Sequence, residues 1–169
     1  MIILDTNVVS EPSKLGPDPR ALAWFDRQDA TSLFLTAISV AELKAGVALL
    51  PEGRRKEKLR HILDGLLAGF VTPVLPFDRE AALAYAAVVV HAKAKRYTLP
   101  VADGQIAAIA KVHGFAVATR DVAPFVAAGV DVVNPWEEVG QSISPLVIDR
   151  NHRSQRRFFT RKTALSCLA

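Results

Sequence analysis

With 169 residues, half of them apolar, and a formal net charge of +4, the chain is long enough for one domain with a substantial core. No apolar run is long enough to span a bilayer, and Asp5 interrupts the opening apolar stretch with no basic segment before it, so neither a membrane span nor a signal peptide is expected and the cytoplasm is the default location. Cys167 is the only cysteine, which excludes an internal disulfide and a thiolate metal cluster.

Ile2-Ile3-Leu4 has no polar alternation, the pattern of a central parallel strand covered on both faces. It stops at Asp5. Val8 to Pro12 reads as a short helical turn, and Asp18-Pro19 as a helix start with Asp as cap and Pro in the first turn, running to about Ala30. Ser32 to Thr36 is a second strand. A helix follows to about Leu50, with Ser39 and Glu42 at the spacing of a capping box. After Pro51-Glu52-Gly53 a basic amphipathic helix extends from about Arg54 to Phe70. Val71 to Leu75 reads as a short strand, and Asp78 caps a helix from about Arg79 to Arg96. Leu99 to Ala110 forms an apolar helix with Asp103 in its opening turn, and His113-Gly114 ends it. Phe115 to Thr119 is another buried strand. A short helix near Pro124 to Ala128 and a last strand, Val130 to Val133, follow.

Strands alternating with helices imply a central parallel sheet with helices on both faces, a three-layer α/β/α fold. The domain spans residues 1–138. Residues 139–169 form a basic extension: from position 149 onward Arg150, Arg153, Arg156, Arg157, Arg161 and Lys162 face Asp149 alone, while residues 1–148 carry fifteen cations against sixteen acids. That extension reads as a contact for phosphates or as disordered, solvated chain.

Four acids stand out by their places in this pattern. Asp5 and Asp121 follow buried strands, Glu42 lies in the first turns of an apolar helix, and Asp103 opens another. In a parallel sheet the strand ends and the following helix starts share one edge, where ligands bind. Carboxylates gathered there repel one another, so they take up protons or bind a cation. Oxygen ligands without Cys or His favour Mg2+ or Mn2+. Such an ion suits phosphodiester hydrolysis. Each acid also has a plainer role: Asp5 and Asp121 as caps, Glu42 in the capping box with Ser39, Asp103 as a partner of the helix dipole. Asn7 and Thr119 lie beside the acids and could orient them, or could serve ordinary turn bonding. Arg120 could contact phosphate or pair with an acid. His61, His91, His113 and His152 form no metal spacing, and no glycine-rich phosphate loop is present.

Met1-Ile2-Ile3-Leu4-Asp5-Thr6-Asn7-Val8-Val9-Ser10-Glu11 closely resembles the opening of PIN-domain proteins, and in particular the VapC and FitB toxins of type II toxin–antitoxin modules. Ser39-Val40-Ala41-Glu42-Leu43 with Gly46, then Ala102 to Ala108 around Asp103, then Ala118-Thr119-Arg120-Asp121, Gly129-Val130 and Asn134-Pro135-Trp136 match the later motifs in order and spacing. The resemblance implies a magnesium-dependent endoribonuclease that hydrolyses RNA with a metal-activated water, its metal held by Asp5, Glu42, Asp103 and Asp121 with Asn7 and Thr119 in support. It further implies a homodimer, a VapB/FitA-like antitoxin partner, and operator DNA bound through that antitoxin. Relatives often read T-R-N-x-x-D-F where this chain has Asp121 in the Asn place and Pro124 in the Asp place. The alternatives are a receiver-like module, against which the absence of an acid pair at Leu4-Asp5-Thr6 argues, and a catalytically weak PIN-like binding module.

Overall fold

A computed structural model describes residues 1–137. The domain boundary near Glu138 and the basic extension 139–169 lie outside the described residues.

Four short parallel strands form the sheet: β1 (Ile2–Leu4), β2 (Leu33–Phe34), β3 (Ala116–Ala118) and β4 (Val132–Val133), in the order β2-β1-β3-β4. The register sets Ile3 beside Phe34 on one side and Val117 on the other. Successive side chains on a strand face opposite ways, and the core divides accordingly. Ile3, Phe34 and Val117 join one cluster with Val88, Ile106, Ile109 and Phe125. Leu4, Leu33 and Ala118 join the other with Val8, Trp24 and Trp136.

Among the described residues, seven α-helices cover these faces: α1 (Thr6–Ser10), α2 (Pro19–Arg27), α3 (Ala37–Ala48), α4 (Arg54–Gly69), α5 (Arg79–Ala94), α6 (Val101–His113) and α7 (Val122–Ala128). The first cluster draws on α5, α6 and α7, the second on α1 and α2 with Leu43 of α3 and Leu66 of α4 at its margin. The three-layer α/β arrangement is the expected one. Asp18 and Asp78 cap α2 and α5 through their side chains, and Gly114 closes α6 in the left-handed conformation, φ 65°.

Three local expectations are corrected. Val71 to Leu75 is not a strand: Leu75 alone bridges to Thr36, donating to Leu35 O at 2.8 Å and accepting from Ala37 N at 2.9 Å. Pro73 and Pro76 lack the N–H groups that would extend the ladder. The final strand is only Val132–Val133, because Val130 N–H is spent on Phe125 O at the end of α7. The cap of α3 is Thr36, whose hydroxyl accepts from Ser39 N at 3.0 Å; Ser39 is inside the helix, so no Ser39–Glu42 capping box forms. That correction frees Glu42 from the plainer of its two roles.

Candidate active site

The carboxyl ends of β1 and β3 lie side by side, because Asp5 N donates to Ala118 O at 3.0 Å. Asp5 is therefore delivered next to Thr119, although the two are far apart in sequence. Asp5 is buried. Its Oδ1 accepts from Thr6 N at 2.7 Å, and its Oδ2 accepts from Asn7 Nδ2 at 2.6 Å and from the Thr119 hydroxyl at 2.7 Å. Thr119 is fully buried, and its oxygen in turn accepts from Asn7 Nδ2 and from Asp121 N, both at 3.1 Å. Asn7 closes the circuit by accepting from Arg120 N at 3.0 Å through Oδ1. Asn7 and Thr119 thus fix the Asp5 carboxylate and stitch the loop after β3 to the start of α1. Asp5 is also the cap of α1, so its structural and chemical roles coexist.

Asp103 comes from the first turn of α6, the helix that packs most extensively on α5. Burial, followed by the charges of Asp5, Glu42 and Asp121, pushes its pKa from the ordinary 3.8 up to about 6. Glu42, on α3, is raised as well, first by burial and then by Asp5. The chain therefore brings the other three expected acids within electrostatic reach of Asp103, and Asp5 within reach of Glu42. Among the described residues no three Asp, Glu, His or Cys side chains are drawn in tightly enough to hold a metal ion as they stand. The acids are close enough to repel without being closed upon one another.

The four are not equivalent. Asp5 is fixed by hydrogen bonds on both oxygens. Asp103 and Glu42 make no hydrogen bond among the described residues that would offset their repulsion. Asp121 is exposed, heads α7 without a side-chain capping bond, and has the smallest influence on Asp103. Pro124, at the position where relatives carry an acid, is buried in α7.

An all-oxygen donor set with uncompensated negative charge fits a hard divalent cation such as Mg2+ better than a soft one. Asp5 would supply a preset anchor for such an ion, and Asp103 of α6 a second carboxylate. Glu42 and Asp121, both exposed at their ends, retain the rotamer freedom to close on an ion.

A PIN-domain model matches residues 2–129. The chain is a PIN-domain protein. Curated relatives of this PIN-domain chain include the VapC ribonuclease Y4jK of Sinorhizobium fredii, 49% identical over 138 residues, spanning 81% of this chain and 99% of that one. Toxin FitB of Neisseria gonorrhoeae is 46% identical over 139 residues, 82% of this chain and 100% of that protein. Among solved structures, FitAB bound to a DNA fragment superposes with a TM-score of 0.75 at 45% identity, over 81% of this chain and 96% of that one. The match covers the PIN domain and disposes of the receiver-like alternative.

Glu11, Trp136 and Arg120 gain roles that composition and spacing did not assign. Glu11 is buried; it accepts from Lys14 Nζ at 2.5 Å and Asp18 N at 2.7 Å, pinning the loop before α2. Burial works to raise the Glu11 pKa, but Lys14, the Asp18 N–H and the Trp136 indole together hold it below the ordinary carboxylate value. Trp136 is buried too, with an Nε1 that completes no hydrogen bond of ordinary geometry among the described residues. Arg120 forms no salt bridge there; its guanidinium lies over the Trp136 ring, 5.6 Å from the centroid. Sequence offered only the proximity of Arg120 to Asp121, since a contact across sixteen residues leaves no periodic trace.

No helix among the described residues is long and apolar enough to cross a membrane.

Proposed function

We propose that this PIN-domain protein is a metal-dependent endoribonuclease, the toxin of a type II toxin–antitoxin module. The observation that carries this reading is that burial, then the charges of Asp5, Glu42 and Asp121, raises the Asp103 pKa, and that burial, then Asp5, raises that of Glu42. An acidic edge of this kind has no use for a polyanion unless a cation is added.

Asp5 and Asp103 would hold Mg2+, or Mn2+, most directly, with Glu42 and Asp121 completing the set. When bound, the ion supplies Lewis-acid stabilisation of the phosphodiester oxygens and makes a water more acidic. The remaining work falls to the chain. Thr119 and Asn7 hold Asp5 in one rotamer, so little reorganisation accompanies reaction. Glu42 carries a pKa displaced toward neutrality, which suits its Oε atoms to take the proton of the attacking water.

The relatives' names support the remaining parts of the proposal. One is a ribonuclease, another a toxin, and the FitAB complex is bound to DNA. Those names support an RNA substrate, an antitoxin partner and DNA met through that antitoxin; a second copy of this chain and a cytoplasmic setting are proposed from the family resemblance alone.

The test is RNA cleavage by purified chain with Mg2+, with EDTA, and with Asp103→Asn. Cleavage that needs Mg2+ and disappears in the variant supports the reading. Undiminished cleavage in the variant, or in EDTA, removes it.

A further inference from the structure

We propose that Arg120 binds a phosphate of the substrate strand at the rim of the acidic site, with Trp136 as the platform that aims it. The inference rests on the RNA-cleaving reading and adds to it a residue that touches the substrate.

A strand of RNA reaching this edge meets four carboxylates. Even with one divalent ion bound, the rim remains anionic, and a fixed cation beside it would lower the barrier to entry. Arg120 stands between Thr119 and Asp121 on the loop leaving β3, the loop that the Asn7 bond at 3.0 Å ties to Asp5. Its backbone position is therefore as fixed as the site itself.

The side chain is also prepared. The guanidinium lies over a ring that is itself 5% exposed, and Trp136 N donates to Asn134 Oδ1 at 3.1 Å, which holds the turn carrying the ring. An arginine stacked on an indole keeps its N–H donors at the edge of the plane, where they can fork onto two phosphate oxygens. Arg120 itself is exposed.

A structural arginine normally ends on a carboxylate, and among the described residues this one does not. It belongs to none of the ion pairs among the described residues. The acid it influences at longer range, Asp18, is bonded to Arg20 at 2.8 Å. An exposed fork beside the acidic site, with no carboxylate partner among the described residues, is complementary to a phosphate oxygen pair.

The test is fluorescence anisotropy of a labelled, mixed-sequence single-stranded oligoribonucleotide in Mg2+ buffer. The protein is the full chain carrying Glu42→Gln, which keeps the Asp5 and Asp103 carboxylates for Mg2+ and removes the proton acceptor, so that binding is read without turnover. Adding Arg120→Ala is expected to weaken binding about tenfold and to flatten the slope of log affinity against log salt by about 0.7, the signature of one lost phosphate contact on a single strand. Adding Arg120→Lys is expected to keep that slope while losing about threefold in affinity, because the charge survives and the fork does not. In the otherwise unaltered chain Arg120→Ala should raise KM more than it lowers kcat, at unchanged Tm. Equal affinity and equal slope with and without Arg120→Ala would overturn this inference and leave the ribonuclease reading standing. Absence of RNA binding by the Glu42→Gln parent, together with absence of cleavage by the unaltered chain, would overturn both.

Discussion

The Thr119 hydroxyl donates to Asp5 Oδ2 at 2.7 Å, joining side chains 114 residues apart in sequence. This one bond couples the fold to the site, because both residues follow neighbouring parallel strands and the hydroxyl is fully buried. Replacing it with a methyl leaves a buried carboxylate oxygen and the Asp121 N–H each short of a partner. Thr119→Val is therefore expected to destabilise the protein by about 1–3 kcal/mol. It should also cut RNA cleavage at least tenfold. Thr119→Ser keeps the donor and should retain most of both. Urea denaturation and initial rates measure the two effects.

Asp103 predicts an inverse relation between stability and activity. Its folded-state pKa of about 6 lies above the ordinary 3.8. Between those values the folded protein holds a proton that the unfolded chain has already lost, so the contribution of Asp103 to stability falls as pH rises through that window and stays low above it. Asp103→Asn removes the repulsion. Without metal, the variant is expected to melt a few degrees higher than the parent at pH 8, corresponding to about 1 kcal/mol after allowance for solvent screening. At pH 4 the two should melt together. RNA cleavage by the variant should be lost at both.

Magnesium should act on the same repulsion. An ion that binds the folded state alone stabilises it by mass action. Mg2+ is thus expected to raise the Tm of the unaltered chain at pH 8, to do less at pH 5, where Asp103 is protonated, and to do little for Asp103→Asn. EDTA should reverse the shift. Differential scanning calorimetry across pH checks all three.

Gly104 lies next to Asp103 and lets α6 close on α5. A Cβ there would stand 2.8 Å from Tyr85 Cε2 and 3.1 Å from Leu99 Cδ2. The Tyr85 ring is packed edge-on to Phe77, with centroids 6.2 Å apart, and has limited room to retreat. Gly104→Ala is expected to cost about 1–3 kcal/mol. By moving the first turn of α6 it should lower cleavage more than the lost stability explains; circular dichroism melts and rates on the same preparation separate these effects.

Much of this architecture is written locally. The uniformly apolar Ile2-Ile3-Leu4, the caps Asp18 and Asp78 and the stop at Gly114 are all governed by neighbouring residues, and all form as their local sequence dictates. Val71 to Leu75 is apolar enough for a strand, but its prolines leave one residue able to bridge. Thr36 and Ser39 are both chemically competent to cap α3; where β2 ends decides between them. At the site, the four acids are recognisable because each sits at an element boundary. The departure at Asp121 and Pro124 already sets the fourth acid apart in the sequence, whereas the clamp on Asp5 and the exposure of Asp121 depend on which strands become neighbours. Glu11 stands in the sequence only as the end of the opening motif, and the folded chain shows it buried and holding the loop before α2.

The central claim is that Asp5, Glu42, Asp103 and Asp121 share a field strong enough to require a cation. Carboxyl 13C NMR of Asp103, titrated with and without saturating Mg2+, measures that field directly and needs no knowledge of the RNA target. The account predicts a metal-free pKa of about 6 that drops well below its metal-free value when Mg2+ is added. A metal-free pKa in the ordinary aspartate range, or one that Mg2+ leaves unchanged, would contradict it.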